Sequence, residues 1–305
     1  MKVVYMGTPE FAVPPLNAIM NAGHNVTGVF TQPDKPKGRG YVLTPPPVKE
    51  CALENNIPVY QPRSMKNGEA IEILKQLNPD IIVVVAFGKI LPKEILDLPK
   101  YGCVNVHASL LPRYRGAGPI QWCVLNGEKT TGVTTMKMAE GLDTGDMLLK
   151  TETEIGENET AGQLHDRLSQ MGAKLITETL IALENGTVTP QKQDDSLSNY
   201  APMLTKELCK INWSSTAQEV HNKVRGLNPW PVAVSAVNGK RVKIYSTSFC
   251  EKSGKAGRVI CENPLTVACG ENSVIINQIQ PEGKKRMDAQ DFVRGYRITK
   301  ETVFE

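Results

Sequence analysis

The amino-acid sequence predicts an α/β fold: a Rossmann-like, mostly parallel sheet with helices on both faces, followed by a small C-terminal β-barrel (OB-like) domain. In residues 1–150, short apolar runs alternate with segments of helical periodicity, which is typical of a parallel sheet. Beyond residue 205, short β-rich runs are separated by turn residues, which is typical of a small barrel. A length of 305 residues suits about two domains. We therefore expect domains at 1–186 and 206–305, joined by a linker at 187–205.

Five short apolar runs in the first half are predicted to be buried strands, because their flanks have helical periodicity. These strands are 2–6, 25–31, 58–61, 81–87 and 104–108. Apolar residues recur at helical spacing in the segments that separate them. The helices predicted from this spacing are 13–22, 48–55, 69–77 and 93–98. Ligands of such sheets bind at the carboxyl ends of the strands, so we expect functional side chains there.

Two further β-rich runs, 131–138 and 147–155, are predicted to extend the sheet as a hairpin. A long helix is predicted over 160–183, since Thr160 suits a helix start and Asn185-Gly186 suits a helix end. The polar stretch that follows has little periodicity, which favours a linker.

The C-terminal domain is predicted to be a barrel of short strands with tight turns, such as Asn238-Gly239 and Glu282-Gly283. Its predicted strands are 232–237, 242–246, 257–260, 265–269 and 274–280.

Composition excludes several classes of protein. The chain is 40% hydrophobic and 22% charged, an ordinary mix for a globular protein. Its longest apolar run, 81–87, is far shorter than the ~20 residues that span a bilayer. Seven cysteines without a CxxC pair, and four histidines without ligand spacing, argue against disulfides and a metal site. With no secretory or transit segment at the N-terminus, we expect a cytoplasmic protein.

The net charge of +3 conceals an asymmetry along the chain. Residues 1–205 contain 19 basic and 22 acidic side chains, whereas residues 206–305 contain 16 basic and 10 acidic ones. A basic C-terminal third is compatible with an ordinary solvated surface or with a nucleic-acid footprint. Charge alone leaves both interpretations open.

The strongest chemical signal is the run 105–112, Asn-Val-His-Ala-Ser-Leu-Leu-Pro. Asn105 and His107 share one face of a predicted strand, near its carboxyl end. An amide beside an imidazole can stabilise an oxyanion and move a proton, although such a pair is more often a satisfied buried one. Asp143 follows in a glycine-bracketed loop, 36 residues after His107. Its carboxylate could favour the protonated imidazole and orient it, or could merely form the turn.

Longer motifs carry a family resemblance. The chain resembles the folate-dependent formyltransferases in four segments: 105–112, Arg115-Gly116, 132–134 and 141–146. Segments that resemble the tRNA-acting members of this family extend over the rest of the chain: 6–11, 30–40 and 228–231. Ala108 stands where some relatives have glycine.

The resemblance implies transfer of the formyl group of 10-formyltetrahydrofolate to the α-amino group of methionine on initiator tRNA, without a metal. It implies that Asn105 donates to the developing oxyanion, that His107 transfers a proton, and that Asp143 orients His107. The implied folate-binding residues are Phe87, Gly88, Ile90, Leu91, Ser109, Leu110, Leu111 and Pro112.

The expected partner is initiator methionyl-tRNA, bound by a monomer that has no membrane contact. A basic insertion, the segment 35–49 with Gly38 and Gly40 on either side of Arg39, resembles an element that contacts the acceptor stem. The basic C-terminal domain is the second expected contact. The candidate tRNA-binding residues are Lys35, Lys37, Arg39, Lys240, Arg241, Lys284, Lys285 and Arg286.

Three alternatives stay open at this point. A formyltransferase acting on a nucleotide-sugar amine would share Asn105, His107 and Asp143 but would not need the basic insertion. A glycinamide ribonucleotide formyltransferase would usually end near residue 200. A catalytically silent RNA-binding module would have no use for the three polar side chains.

Overall fold

The protein, described by a computed structural model over residues 1–37 and 41–305, consists of two compact units. Each unit is assembled from three separate stretches of chain. Unit 1 comprises Met1–Gly116, Gly132–Thr153 and His165–Tyr200, and unit 2 comprises Ala117–Thr131, Glu154–Leu164 and Ala201–Glu305. The segment expected to be a linker, 187–205, therefore contributes residues to both units.

Unit 1 is built on a seven-stranded sheet. Its strands are β1 (Lys2–Gly7), β2 (Asn25–Phe30), β5 (Val59–Tyr60), β6 (Ile81–Val85), β7 (Cys103–His107), β8 (Thr130–Lys137) and β9 (Met147–Glu154). They lie in the order β5-β2-β1-β6-β7-β8-β9; the first five in this order pair in parallel, and β8 runs antiparallel to β7. The fold class predicted from the sequence is confirmed.

The central strands are apolar because helices cover both faces of the sheet. Every residue of β6 is buried, which explains its unbroken Ile/Val sequence. β6 ends two residues before the predicted end at Phe87, since Ala86 and Gly88 adopt the left-handed conformation. Five helices connect or flank these strands: α1 (Val13–Asn21), α2 (Pro47–Glu54), α3 (Gly68–Leu77), α4 (Lys93–Leu96) and α6 (Ala161–Glu184).

The basic insertion contains local structure instead of a plain loop. Its ends pair as the antiparallel strands β3 (Lys35–Lys37) and β4 (Val42–Thr44). Lys49, in α2, forms an ion pair with Asp34 at 2.9 Å, so part of the positive charge of this segment is neutralised locally.

Unit 2 is built on a six-stranded antiparallel sheet of strands β10 (Ala233–Val237), β11 (Lys240–Cys250), β12 (Val259–Glu262), β13 (Leu265–Ala268), β14 (Ser273–Pro281) and β15 (Met287–Asp288). Five of them lie in the order β10-β11-β14-β13-β12, and β15 pairs with β14. The C-terminal residues link its two edges: the amide of Phe304 donates to Gly257, and that of Glu305 donates to Ala236. Three helices belong to this unit: α5 (Pro119–Leu125), α7 (Ala217–Gly226) and α8 (Ala289–Tyr296).

The core of unit 2 packs α7 and α8 on the sheet, around the side chains of Trp213, Phe292 and Phe304. Neither helix had bounds predicted from the sequence. α7 begins with a capping box, in which Thr216 and Glu219 satisfy each other's backbone amides. Throughout residues 1–37 and 41–305, no helix is both long enough and apolar enough to cross a membrane.

Candidate active site

Asn105 and His107 lie at the carboxyl end of β7, where the predicted crevice of a parallel sheet opens. Asn105 is half-buried, whereas only 6% of His107 is exposed. Antiparallel pairing with β8 places Met136 opposite Asn105 and Thr134 opposite His107. Pairing of β7 on both edges thus fixes the backbone that presents the two side chains.

The imidazole of His107 is held by two different groups. Its Nε2 lies 2.9 Å from the carbonyl oxygen of Tyr114, and its Nδ1 lies 3.7 Å from Oδ2 of Asp143. Because a carbonyl oxygen only accepts, Nε2 must be the protonated, donating nitrogen. Nδ1 is therefore the ring atom that can gain or lose a proton, and it faces a carboxylate.

Asp143 occupies a tightly specified turn. Its backbone has a φ of 52°, and its Oδ2 accepts a hydrogen bond of 2.8 Å from the amide of Gly116. Gly145 completes the turn, because a Cβ there would lie 1.7 Å from the carbonyl oxygen of Lys137. The position of the carboxylate is therefore fixed by the backbone of the turn and by the amide of Gly116.

Gln193 holds this turn from a distant part of the sequence. Its Nε2 donates to the carbonyl oxygens of Asp143 and Gly145, both at 2.7 Å. Its Oε1 accepts from Nε and Nη2 of Arg115, at 3.0 and 2.9 Å, and Nη2 of Arg115 also pairs with Asp195 at 2.7 Å. One amide side chain is thus fixed by four hydrogen bonds. Gln193 was not predicted from the sequence, because it lies in the polar stretch 187–205 and no spacing links it to the loop of Asp143.

Asn105 is the least constrained of the three candidate catalytic residues. Within the described part of the chain, its side-chain amide forms no hydrogen bond. A half-buried amide without an internal partner is available to donate to, or accept from, a bound ligand.

The candidate folate-binding residues divide into two groups by exposure. Gly88 and Ile90 are exposed, the latter by 74%, and Leu110 and Pro112 are half-buried. Four others are at most 3% exposed as whole residues: Phe87, Leu91, Ser109 and Leu111. These four residues pack internally, so almost none of their surface, backbone included, is accessible to a ligand.

The backbone around Phe87 is fixed by two polar side chains that the sequence analysis did not single out. Nε2 of Gln32 donates to the carbonyl oxygens of Phe87 and Gly88, both at 3.1 Å. The hydroxyl of Thr8 donates to the carbonyl of Phe87 at 3.2 Å. These bonds hold the segment after β6 in one conformation.

Two cysteines close to these motifs in sequence are chemically quiet. Burial raises the pKa of Cys103 to about 12 and that of Cys123 to about 11. Both thiols therefore stay protonated at neutral pH and are poor nucleophiles. Among the described residues, no group of three His, Cys, Asp or Glu side chains is arranged to hold a metal ion.

The candidate tRNA-binding residues are largely on the surface. Lys35 and Lys37 are the first and last residues of β3, and Arg39 lies outside the described residues. In unit 2, Lys240, Arg241, Lys284 and Lys285 are exposed. Arg286 is exposed too, but its guanidinium stacks over the ring of Tyr245 at 4.4 Å.

Comparison with known proteins identifies the family. A family model described as "Formyl transferase" matches residues 1–180, and one described as "Formyl transferase, C-terminal domain" matches residues 203–297. The chain belongs to the formyl transferase family. The family resemblance predicted from the sequence motifs is confirmed.

Individual formyl transferases match over nearly the full chain. The methionyl-tRNA formyltransferase of Citrifermentans bemidjiense is 53% identical over 300 residues, which cover 98% of this chain and 94% of that protein. That of Clostridium novyi is 52% identical over 310 residues, which cover all of both chains. Among solved structures, the sugar 3N-formyl transferase WlaRD, crystallised in the presence of dTDP and 5-N-formyl-THF, has the same fold. Its TM-score is 0.69 at 22% identity, and the match covers 93% of this chain and 99% of WlaRD.

Proposed function

We propose that the protein transfers the formyl group of 10-formyltetrahydrofolate to the α-amino group of methionine on initiator tRNA. The observation that carries the chemistry is the placement of His107 against Asp143, beside the uncommitted amide of Asn105. Relatives that are 52–53% identical over almost the whole chain, and are named methionyl-tRNA formyltransferases, support the acceptor.

The residues at the strand ends fit a folate. The free amide of Asn105 offers a hydrogen-bond donor, and the exposed Gly88 and Ile90 offer backbone groups and an apolar surface. When bound, 10-formyltetrahydrofolate supplies the formyl group.

Each catalytic side chain has one task in this proposal. The amide of Asn105 donates a hydrogen bond to the formyl oxygen as negative charge develops on it. Nδ1 of His107 takes the proton of the attacking amine and returns it to the departing nitrogen. Asp143 stabilises the imidazolium that forms in between, across the 3.7 Å from Oδ2 to Nδ1.

Recognition of tRNA is proposed for two basic regions. Lys35, Lys37 and Arg39 of the insertion contact the acceptor stem, and the basic residues of 206–305 contact the backbone elsewhere. Residues 1–186 form the catalytic domain, and 187–205 connect it to a tRNA-binding domain at 206–305. The reaction belongs to translation initiation, and we place the protein, as a monomer, in the cytoplasm.

A formylation assay tests this function. The protein is incubated with 10-formyltetrahydrofolate and methionyl initiator tRNA, with free methionine and a nucleotide-linked amino sugar as the competing acceptors. Formylation of the tRNA alone is expected. Preferential formylation of the amino sugar would contradict the proposal and would favour a sugar formyltransferase, the activity for which WlaRD is named. At 22% identity, WlaRD itself supports only the fold.

A further inference from the structure

Asn199 lies in the polar stretch 187–205, outside every motif of the sequence, yet it contacts the loop beside His107. Its Oδ1 accepts a hydrogen bond of 2.5 Å from the backbone amide of Tyr114. Its backbone carbonyl oxygen accepts a second one, of 3.0 Å, from the amide of Arg115. The two peptide groups that flank Tyr114 are therefore both held by this one residue.

The same two peptide groups are also held at their carbonyl ends. The carbonyl oxygen of Arg113 accepts a hydrogen bond of 2.6 Å from the hydroxyl of Ser109. The carbonyl oxygen of Tyr114 lies 2.9 Å from Nε2 of His107, which donates to it. Because a peptide group is planar, bonds at both its amide and its carbonyl leave it little freedom to rotate. The direction of the Tyr114 carbonyl is thus fixed between Asn199 and His107.

Tyr114 adopts a backbone conformation that needs such support. Its φ is 59°, in the left-handed region, which is uncommon for a residue with a bulky side chain. Only 5% of it is exposed. A conformation of this kind persists where the surrounding groups over-determine it. Because Asn199 accepts both amide hydrogen bonds at this position, we expect its side chain to help keep the Tyr114 carbonyl on His107.

The Tyr114 carbonyl determines which nitrogen of the neutral imidazole carries the proton. A carboxylate beside a histidine favours the tautomer whose N–H points at it, which here would be an Nδ1–H that faces Asp143. With Nδ1 already protonated, the neutral ring could not take a proton from an attacking amine there. The hydrogen bond from Nε2 to Tyr114 opposes that tautomer. The 3.7 Å from Nδ1 to Oδ2 of Asp143 is too long for a competing hydrogen bond.

We infer that Asn199 is a positioning residue that keeps His107 in its Nε2–H tautomer, through the carbonyl of Tyr114. The inference rests on the proposed function only for the reaction that needs this tautomer. Gln193 supports the Asp143 side of the imidazole, and Asn199 supports the Tyr114 side. Since Asn199 acts through another residue, loss of its side chain should lower the turnover rate without changing the affinity for the formyl donor.

Three full-length variants test this role. Asn199→Ala removes the acceptor for the Tyr114 amide. Asn199→Asp retains an acceptor oxygen at the same reach and is the rescue variant. Asn185→Ala is the matched control, because Asn185 is exposed and its side chain forms no hydrogen bond with a described residue. Asn199 is itself exposed, so its replacement leaves no cavity in the core.

The first measurement is the tautomer itself. In protein labelled with ¹⁵N in its histidines, the NMR signals of a neutral imidazole show which ring nitrogen carries the proton. The signals of His107 are those missing from the spectrum of His107→Ala, and they are read at a pH above which they no longer change. The wild type, Asn199→Asp and Asn185→Ala are expected to show Nε2–H. Asn199→Ala should show an increased fraction of Nδ1–H.

The second measurement is the steady-state formylation of methionyl-tRNA. We expect Asn199→Ala to lower kcat about tenfold, the effect of one lost hydrogen bond to a buried amide, with KM for 10-formyltetrahydrofolate close to that of the wild type. Asn199→Asp should restore most of kcat, and Asn185→Ala should match the wild type. Thermal unfolding verifies that each variant is folded. If Asn199→Ala does not fold, Asn199→Gln takes its place, because its longer side chain displaces the acceptor oxygen.

A wild-type His107 in the Nδ1–H tautomer would overturn the inference without any variant. So would a wild-type tautomer in Asn199→Ala, since any fall in kcat would then have a purely structural cause. A loss of kcat that Asn199→Asp does not restore would also contradict it. The NMR measurement needs no substrate. If the protein failed to formylate tRNA, the tautomer would still be measurable, and the two failures are thus distinguishable.

Discussion

At the scale of single residues, the site depends on hydrogen bonds that determine which atom does which work. The carbonyl of Tyr114 commits Nε2 of His107 to donation, so proton transfer is left to Nδ1. The nearest partner of Nδ1 is Asp143, and the nearby Asn105 has no internal partner among the described residues. Each of these polar atoms therefore has either one hydrogen-bond partner or an unused donor or acceptor that a ligand can bind.

Removal of the side chain of Asn105 or His107, the proposed catalytic residues, should mainly lower the turnover rate. We expect Asn105→Ala and His107→Ala each to lower kcat by at least ~100-fold, which is typical for loss of an oxyanion donor or a proton carrier. Folate binding, followed by fluorescence, should persist. His165→Ala, at a half-exposed histidine outside the site, is the control. Near-normal kcat in either site variant would remove that residue from the mechanism.

The charge of Asp143 can be tested without changing its shape. Asp143→Asn retains an oxygen that can accept from Gly116 but no longer stabilises an imidazolium on His107. We expect kcat to fall while the free energy of unfolding changes little. If kcat were preserved, Asp143 would serve only as a turn residue.

Gln193 should act as a positioning residue. Gln193→Ala removes two hydrogen bonds that hold the turn of Asp143, and we expect kcat to fall roughly tenfold or more. Gln191→Ala is the matched control, because the side chain of Gln191 is exposed. Gln193→Glu distinguishes the two ends of the amide: it retains the acceptor for Arg115 but loses the donor to the turn. A variant with a lowered melting temperature but unchanged kcat would indicate a purely structural role.

At the scale of elements, close backbone approaches fix where the functional loops run. Gly145 passes against the end of β8, where a Cβ would clash with the carbonyl of Lys137. We expect Gly145→Ala to lower the free energy of unfolding by about 1–3 kcal/mol, as other overpacked sites do. Gly68→Ala is the control, since nothing lies within 4 Å of a Cβ there. Equal free energies of unfolding of the two variants in denaturant titrations would show that the turn accommodates a Cβ at position 145 at no cost in stability.

The burial of His221 in α7 should make stability depend on pH. Burial is the main cause that lowers its pKa from 6.5; its ring bonds Thr247 at 3.0 Å and the carbonyl of Glu157 at 3.1 Å. Because the folded pKa is the lower one, the unfolded chain binds the proton first as the pH falls. The contribution of His221 is thus complete above about pH 7 and declines from about pH 6.5 towards the lowered folded pKa.

This pH dependence can be isolated by comparison with His221→Gln. The difference in free energy of unfolding between wild type and variant should be largest near pH 7.5 and should shrink as the pH falls towards 5.5. The change cannot exceed about 1.4 kcal/mol per pH unit for one proton. A difference that stays constant across this range would mean that the ring is not held neutral.

At the scale of the whole molecule, charge is distributed unevenly along the chain, and the proposed binding of tRNA depends on that distribution. We expect tRNA affinity to fall steeply with salt. Replacement of Lys240, Arg241, Lys284 and Lys285 by glutamine should reduce the slope of log K against log salt by up to ~0.9 for each phosphate that is no longer neutralised. Folate binding should not change. An unaltered slope would show that these side chains are only solvated surface.

Full-length variants are preferable to truncation for this test. Trp122 and Leu125 of α5 pack against the core of unit 2, most of which lies beyond residue 200. A cut after Leu204 would expose their apolar surface, and any loss of tRNA binding would then have two causes.

The amino-acid sequence alone was enough to predict the fold class and the family, and it led to the candidate catalytic residues on β7. These features are local. Strand–helix alternation and the side chains at i and i+2 on one strand follow from short-range periodicity, and the family resemblance rests on contiguous motifs around Asn105 and Asp143. Ends of elements were less well determined, as at β6, because a single left-handed residue such as Ala86 can stop a strand.

Which distant groups meet could be read only from the three-dimensional fold. It brought Gln193 to the turn of Asp143, placed the carbonyl of Tyr114 on His107, and joined both edges of the C-terminal sheet through Phe304 and Glu305. It also buried Phe87 and Leu91, whose apolar character is equally compatible with a core and with a folate site. A hydrogen bond is satisfied by whichever partner the folded chain brings within about 3 Å, and spacing along the sequence contains no record of that distance.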